Sequence, residues 1–247
     1  MAGHSKWANI KHRKGRQDAA RGKLFAKLAK AIESEARKGG GDPAANYSLA
    51  AAVAKAKAAS MPNDNIARAI KRGTGETGGV AYDELWYEGY APGGVAVYVQ
   101  VLTDNRRRAA SDVRAVFTRN GGSLGEPGSV GYLFQPKGII AAAGEEDEVL
   151  LTALEAGAED IRETGDSWEV ITAPGEMASV RDALRDSGLP VESAEVTQLP
   201  MTEVPVDRRT APRVLRLVDA LEDLDDVQSV YSNFEISDDL LEALANQ

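Results

Sequence analysis

The chain has no cysteine, so disulfides, zinc–thiolate sites, iron–sulfur clusters and thiol catalysis are excluded. Histidine is nearly as scarce: His4 and His12, both in the first dozen residues, are the two present. A histidine-rich metal centre, or a Ser-His-Asp triad inside a folded unit, has almost nothing to be built from. No run of 18 apolar residues occurs, so no helix is expected to span a membrane. The opening MAGHSKWANIKHRKG is basic with no apolar stretch behind it, unlike a secretory signal. A cytoplasmic chain is the expectation.

What is present is enough apolar material for real cores. Of 247 residues, 43% are hydrophobic and 27% charged, which argues against disorder and allows one to three domains. The net charge of −9 conceals a steep polarity. Residues 1–80 carry +10, residues 81–140 are neutral, and residues 141–247 carry −19. Such a distribution predicts a basic module for a polyanion carried on neutral and acidic modules.

Residues 1–17 hold Lys6, Lys11, Arg13, Lys14 and Arg16, with Trp7 and Ile10 as their large apolar groups, and read as a basic arm. A helix follows from about Asp18 to Lys38, ended by Gly39-Gly40-Gly41. Leu24, Phe25, Leu28 and Ile32 form its apolar stripe, and Lys23, Lys27, Lys30 and Arg37 form a separate basic one. Asp42-Pro43 is expected to open a second helix, running through Leu49 and Val53 to Ser60. Pro62 opens a third, with Ile66 and Ile70 inward, ending at Arg72-Gly73. Gly73, Gly75 and Gly78 satisfy G-x-G-x-x-G, but a helix precedes them and a strand follows, the reverse of a dinucleotide site. They read as a flexible linker.

From residue 81 the pattern becomes α/β. Strands are expected at 82–90, at 95–101 through the alternating Val95, Val97, Val99 and Val101, and near 130–134. Between the last two lies a helix with Ala109, Val113, Val116 and Phe117 inward. Residues 136–204 read as β-α-β-α-β, and 206–237 supply the helix and strand that the 81–135 unit lacks. The expected fold is therefore α+β and multidomain: an N-terminal three-helix bundle plus two α/β sandwich (ferredoxin-like) domains, the last inserted in the middle one. The expected divisions are a basic arm at 1–17, bundle and linker at 18–79, an α/β domain from 80–135 plus 206–240, and an inserted acidic α/β domain at 136–205.

Little in the chain suggests catalysis, a cofactor or a small-molecule substrate. Asp223, Asp225 and Asp226 are clustered, but the loop has neither the glycine nor the closing glutamate of an EF-hand, so a solvated helix end is expected. Ser5 beside His4 is not preorganised on an arm. No metal ligand set and no catalytic residue is assigned. Nucleic-acid contact is the chemistry these residues fit: lysine and arginine bind phosphate and release counterions, and an aromatic ring stacks on a splayed base. The candidate contacts are His4, Lys6, Trp7, Lys11, His12, Arg13, Lys14 and Arg16 on the arm, and Arg21, Lys23, Lys27 and Lys30 on the first helix. Arg68, Lys71 and Arg72 on the third helix join them, with Arg106, Arg107 and Arg108 at a later helix start. Two alternatives stay open. Trp7 either stacks on a base or anchors the arm to the bundle, and the 104–108 cluster either meets phosphate or pairs Asp with Arg internally.

The segments AGHSKWANIKHRKGRQDAARGKLFAKL, MPNDNIARAIKRG, YEGYAPGGVAVYV and LTDNRRRAASDVRAVFTRNGGSLGEPGSVGYLF resemble YebC-type proteins, in the same order and across residues 2–135. Positions 2–7 fit the family's opening motif without departure. The resemblance implies a helical bundle and two α/β domains, one inserted in the other. It also implies a non-enzymatic role linked to nucleic acid: family members are described as DNA-binding transcriptional regulators, as a mitochondrial translational activator, and as translation factors relieving ribosomes stalled on proline-rich stretches. The residues favour RNA, because a Gly- and Lys-rich arm with His and Trp suits splayed bases, and no dimerisation heptad spaces two half-sites. The expected partner is rRNA or tRNA on the ribosome; promoter DNA is the alternative, and a metal-dependent hydrolase a distant third.

Overall fold

A computed structural model describes residues 17–165, 167–237, 239–240 and 243. Its first three helices are α1 (Gln17–Gly39), α2 (Tyr47–Ala58) and α3 (Asn63–Gly73). They close around Leu28, Ile32, Leu49, Val53, Ile66 and Ala69. The Asp42-Pro43 pair forms a turn rather than a helix start. Asn46 is the cap of α2: its side-chain oxygen accepts from the Leu49 N–H, while its amide donates to the Glu35 and Gly40 carbonyls. One side chain thus ends α1 and begins α2. Helix α3 packs so closely on α1 that a Cβ at Gly73 would lie 2.5 Å from the Glu33 carbonyl oxygen.

The first sheet is antiparallel, in the order β3 (Ser123–Leu124), β1 (Asp83–Tyr90), β2 (Ala96–Thr103), β9 (Val227–Ser232). Its inner face, with Val97, Val99 and Val101 fully buried, is covered by α4 (Arg106–Arg119) and α7 (Ala211–Glu222). These helices bring Val113, Phe117, Val214, Leu217 and Leu221 to the core. The partner helix and strand expected from beyond residue 206 are those two elements, α7 and β9. The strand expected near 130–134 is instead a short 3-10 turn, Gly131–Leu133, and the two-residue β3 takes the sheet edge. Glycine-rich sequence hid that exchange, because β3 has only Ser123 and Leu124 to signal it.

Between β3 and α7 the chain builds a second antiparallel sheet, β5 (Asp160–Thr164), β6 (Ser167–Thr172), β4 (Phe134–Ala142), β7 (Val191–Pro200). Helices α5 (Glu146–Glu155) and α6 (Met177–Asp186) bury Val149, Val180 and Leu184 against Ile140 and Val170. The unit runs β-α-β-β-α-β, with the strand order of a ferredoxin-like sandwich. Strand β5 was not expected: its alternate residues Asp160, Arg162 and Thr164 are polar at a sheet edge, leaving little apolar signal. Two short strands, β8 (Val204–Pro205) and β10 (Phe234–Glu235), pair in parallel where the chain returns. The architecture is α+β and multidomain, with the helical bundle first. Among the described residues, no helix is long and apolar enough to cross a membrane.

Candidate nucleic-acid interface

The arm candidates His4, Lys6, Trp7, Lys11, His12, Arg13, Lys14 and Arg16 lie outside the described residues. Arg21, exposed at the start of α1, places its guanidinium 5.4 Å from the centroid of the Phe25 ring.

The basic stripe of α1 has a partner inside the molecule. Lys27 donates to the Glu222 carbonyl, Lys23 to that of Asp223 at 3.2 Å, and Lys30 to that of Asp225 at 3.0 Å. Lys30 also meets the Asp226 carboxylate at 2.7 Å. The spacing of three lysines over two helical turns matches carbonyls at the last residue of α7, its cap and the turn beyond, where cations are favoured by the helix dipole. Burial pushes the Lys27 ammonium below its usual range, against the pull of Glu222, Asp223 and Asp225. Asp226 takes three donors: Lys30, Arg108 at 2.8 Å and the Thr103 hydroxyl at 2.9 Å. Burial raises its carboxyl, but these hydrogen bonds outweigh burial and hold it below the ordinary aspartate range. In the acidic 223–226 turn the side chains of Asp223 and Asp225 are exposed, as a solvated helix end would have them, while Asp226 and the backbone carbonyls are taken up by cations. It is the seat on which the bundle docks.

The arginines at the start of α4 divide. Arg106 forks onto Asp83 with two hydrogen bonds of 2.8 Å, and Arg108 bridges Asp104 at 2.6 Å and Asp226. Arg107 is exposed and has no ion-pair partner among the described residues. The helix itself is capped by Asn105, whose side-chain oxygen accepts from the Arg108 N–H.

On α3, Arg72 meets the carboxylate of Glu33 at 3.0 Å, and Glu33 is only 3% exposed. The other Glu33 oxygen accepts from the Val80 N–H at 3.1 Å. That contact ties the glycine-rich 74–80 segment to α1, so it is a strap rather than a free linker. Arg68 bonds only neighbours on its own helix, the Asp64 carbonyl and the Asn65 side chain. Lys71 is exposed with no carboxylate partner among the described residues. Of the candidate cations on the bundle, Arg21, Arg68 and Lys71 thus face outward, whereas Lys23, Lys27, Lys30 and Arg72 bind within the protein.

A cleft of about 540 Å³ lies where the bundle meets α4 and α7, lined by Lys23, Lys30, Arg108, Asp112, Asp223 and Asp225. Its charges alternate in sign and largely neutralise one another, and no nucleophile with an adjacent base lines it. Among the described residues, no group of three His, Cys, Asp or Glu side chains is placed to hold a metal ion. Sequence reasoning missed the acidic turn as a partner for the stripe. The available signal was three lysines at helical spacing and an acidic cluster 195–200 residues away.

Two family profiles match the chain, "TACO1/YebC protein N-terminal domain" over residues 5–76 and "TACO1/YebC second and third domain" over residues 82–234. Curated relatives in Beutenbergia cavernae and Rubrobacter xylanophilus are each 56% identical. They cover 99% of this chain, and the chain covers 99% and 100% of them. A relative in Mycobacterium tuberculosis is 55% identical over the full length of both. All three carry the name "probable transcriptional regulatory protein". The crystal structure of a conserved hypothetical protein from Aquifex aeolicus superposes with a TM-score of 0.79 at 48% identity, covering 90% of this chain and 93% of that one. With both profiles matched in order and full-length relatives above half identity, the chain belongs to the TACO1/YebC family.

Proposed function

We propose that this protein is a non-enzymatic, cytoplasmic regulator of gene expression that binds nucleic acid, acting as a translation factor on the ribosome. The observation that carries the reading is a basic first third that the rest of the fold neutralises only in part. Residues 1–80 hold +10, and the acidic turn at 223–226 takes up the Lys23, Lys27 and Lys30 stripe while Arg21, Arg68 and Lys71 stay outward. The arm, with His4, Lys6, Trp7, Lys11, His12, Arg13, Lys14 and Arg16, directly precedes α1 in the sequence. Phosphate contacts from these cations position the bundle on rRNA or tRNA, and Trp7 stacks on a splayed base. The two α/β units reach proteins or tRNA. The mechanism is positional: the protein stabilises a productive arrangement of the peptidyl-transfer substrates and contributes no side-chain chemistry.

A second reading, a DNA-binding transcriptional regulator, is favoured by the printed name of the relatives. Crosslinking in living cells, with sequencing of both the RNA and the DNA recovered, separates the two. Crosslinks concentrated in rRNA or tRNA, and lost on deletion of residues 1–17, are the expected result. Discrete promoter peaks over background RNA would make the protein a transcription regulator.

A further inference from the structure

Helix α7 carries its charges against its own dipole. Its first turn has no acidic residue and its last turn no basic one. Arg208 and Arg209 precede it, Arg213 and Arg216 lie in its first two turns, and Glu222, Asp223, Asp225 and Asp226 crowd its end. A helix dipole favours the opposite placement. At the C-terminal end the conflict is resolved by Lys23, Lys27 and Lys30. At the other end one carboxylate, Asp207, precedes the helix, and four arginines crowd the same positive end of the dipole. Arg208, Arg209, Arg213 and Arg216 are exposed and have no carboxylate at ion-pair distance among the described residues. Asp207, the nearest in sequence, uses its carboxylate to accept from the backbone N–H groups of Arg209 and Thr210, at 3.1 and 2.8 Å.

A second segment adds to the cluster. The Arg213 guanidinium lies over Gly121, 3.0 Å from where a Cβ would stand, so it reaches the turn that follows α4, whose last residue is the exposed Arg119. Five other arginines lie on carboxylates: Arg72, Arg106, Arg108, Arg162 and Arg181. Residues 141–247 contain 26 acidic side chains and 7 basic ones, yet four of those seven fall within 208–216, where none has a salt bridge among the described residues. All five members of the cluster are arginine, the side chain whose planar fork matches phosphate oxygens two at a time.

We propose that Arg119, Arg208, Arg209, Arg213 and Arg216 form a second docking surface for the phosphodiester backbone of a nucleic acid, at the end of the middle unit remote from the bundle. The inference rests on the nucleic-acid reading above and makes the contact two-pointed. Helix α7 separates the two ends by about 18 Å, from 12 residues at 1.5 Å each. The occupant is nucleic acid rather than an acidic protein because none of the large apolar side chains exposed among the described residues falls in the 202–222 segment that carries four of the five arginines. Protein interfaces need such an apolar core, whereas backbone contacts to nucleic acid do not.

The test uses the full chain with a fluorescein-labelled single-stranded RNA of 20 nucleotides, its affinity followed by anisotropy across a salt series. Arg209→Ala/Arg213→Ala/Arg216→Ala is compared with Arg68→Ala/Lys71→Ala and with the matching triple Arg→Lys variant. Loss of three phosphate contacts makes the slope of log affinity on log salt shallower by about 2 and lowers affinity ~100-fold at 0.1 M salt. The triple lysine variant stays within a few-fold of wild type, and the Tm of the triple alanine variant is equal or higher, since a charge opposed to the dipole is gone. An unchanged slope in that variant, beside a reduced one in Arg68→Ala/Lys71→Ala, overturns the second surface and leaves the first reading standing. Wild-type protein that binds neither this RNA nor a 20-base-pair DNA overturns both. A polyglutamate peptide bound by wild type and lost by the triple alanine variant, with RNA binding intact, reassigns the surface to an acidic protein.

Discussion

Asp226→Asn replaces a carboxylate by an amide of the same shape at the point where the bundle, α4 and α7 meet. The carboxylate accepts from Lys30, Arg108 and Thr103, and an amide has one oxygen and an NH₂ that repels donors. Charge-assisted hydrogen bonds contribute about 1.5–3 kcal/mol each, and orphaning a buried partner costs a comparable amount. The discount is set by exposure. The Asp226 side chain is 12% exposed and Lys30 21%, but Arg108 is 48% exposed and keeps Asp104. The expected cost is therefore ~2 kcal/mol, most of it at Lys30, or a Tm about 4–8 °C lower for a chain of this size. In a double-mutant cycle with Lys30→Met, followed by urea unfolding, the pair should show ~1 kcal/mol of coupling. The sign with pH follows from the lowered Asp226 carboxyl. Its contribution is present above the unfolded value of about 4 and is lost as pH falls through the lower folded value, so the variant should be less sensitive than wild type in that window. Strict additivity in the cycle, with unchanged acid sensitivity, would refute the docking of bundle on acidic turn.

Three further outcomes are expected. Glu88 accepts from the backbone N–H groups of Gly128, Val130 and Gly131 at 2.6–2.7 Å, and these bonds hold its carboxyl below the usual range although burial pushes it up. Glu88→Gln should cost about 1–2 kcal/mol and speed hydrogen exchange at those three amides, and wild type should lose this tether as pH falls below the ordinary glutamate range. Gly73→Ala should cost roughly 2–3 kcal/mol, because its Cβ would meet the Glu33 carbonyl oxygen at 2.5 Å and the Ala36 Cβ at 2.7 Å, both on the rigid core face of α1. Thermal unfolding reads that directly. Arg68→Ala/Lys71→Ala should weaken RNA binding with Tm within about 2 °C of wild type, since neither side chain meets a carboxylate; a large drop in Tm would assign them a structural role instead.

Local pattern was enough for most of the fold. The alternation of Val95, Val97, Val99 and Val101 specified a strand buried on one face, and the apolar spacing of Ala109, Val113 and Phe117 specified the helix over it. Strand β5 and the two-residue β3 escaped because edge strands with polar or glycine-rich surroundings carry no apolar periodicity. Helix α2 starts after Asn46 rather than at Asp42-Pro43: both Asp42 and Asn46 are capping residues, and only the ends of α1 and α2 together select Asn46.

Charge is where sequence and tertiary structure divide the work. The sequence by itself determined that the chain is polarised, basic at its start and acidic at its end, and that its helices and strands form one bundle and two α/β units. Which cations remain available was decided only by the tertiary structure, because pairing depends on distance in space. Lys30 and Asp226 are 196 positions apart and 2.7 Å apart when folded. Arg213 and Arg216 sit in an acidic stretch, yet among the described residues the fold brings no carboxylate to ion-pair distance of them. Electrostatic energy falls with distance and with hydration, so a side chain's charge is fixed by its composition while its freedom to meet a partner is fixed by the fold.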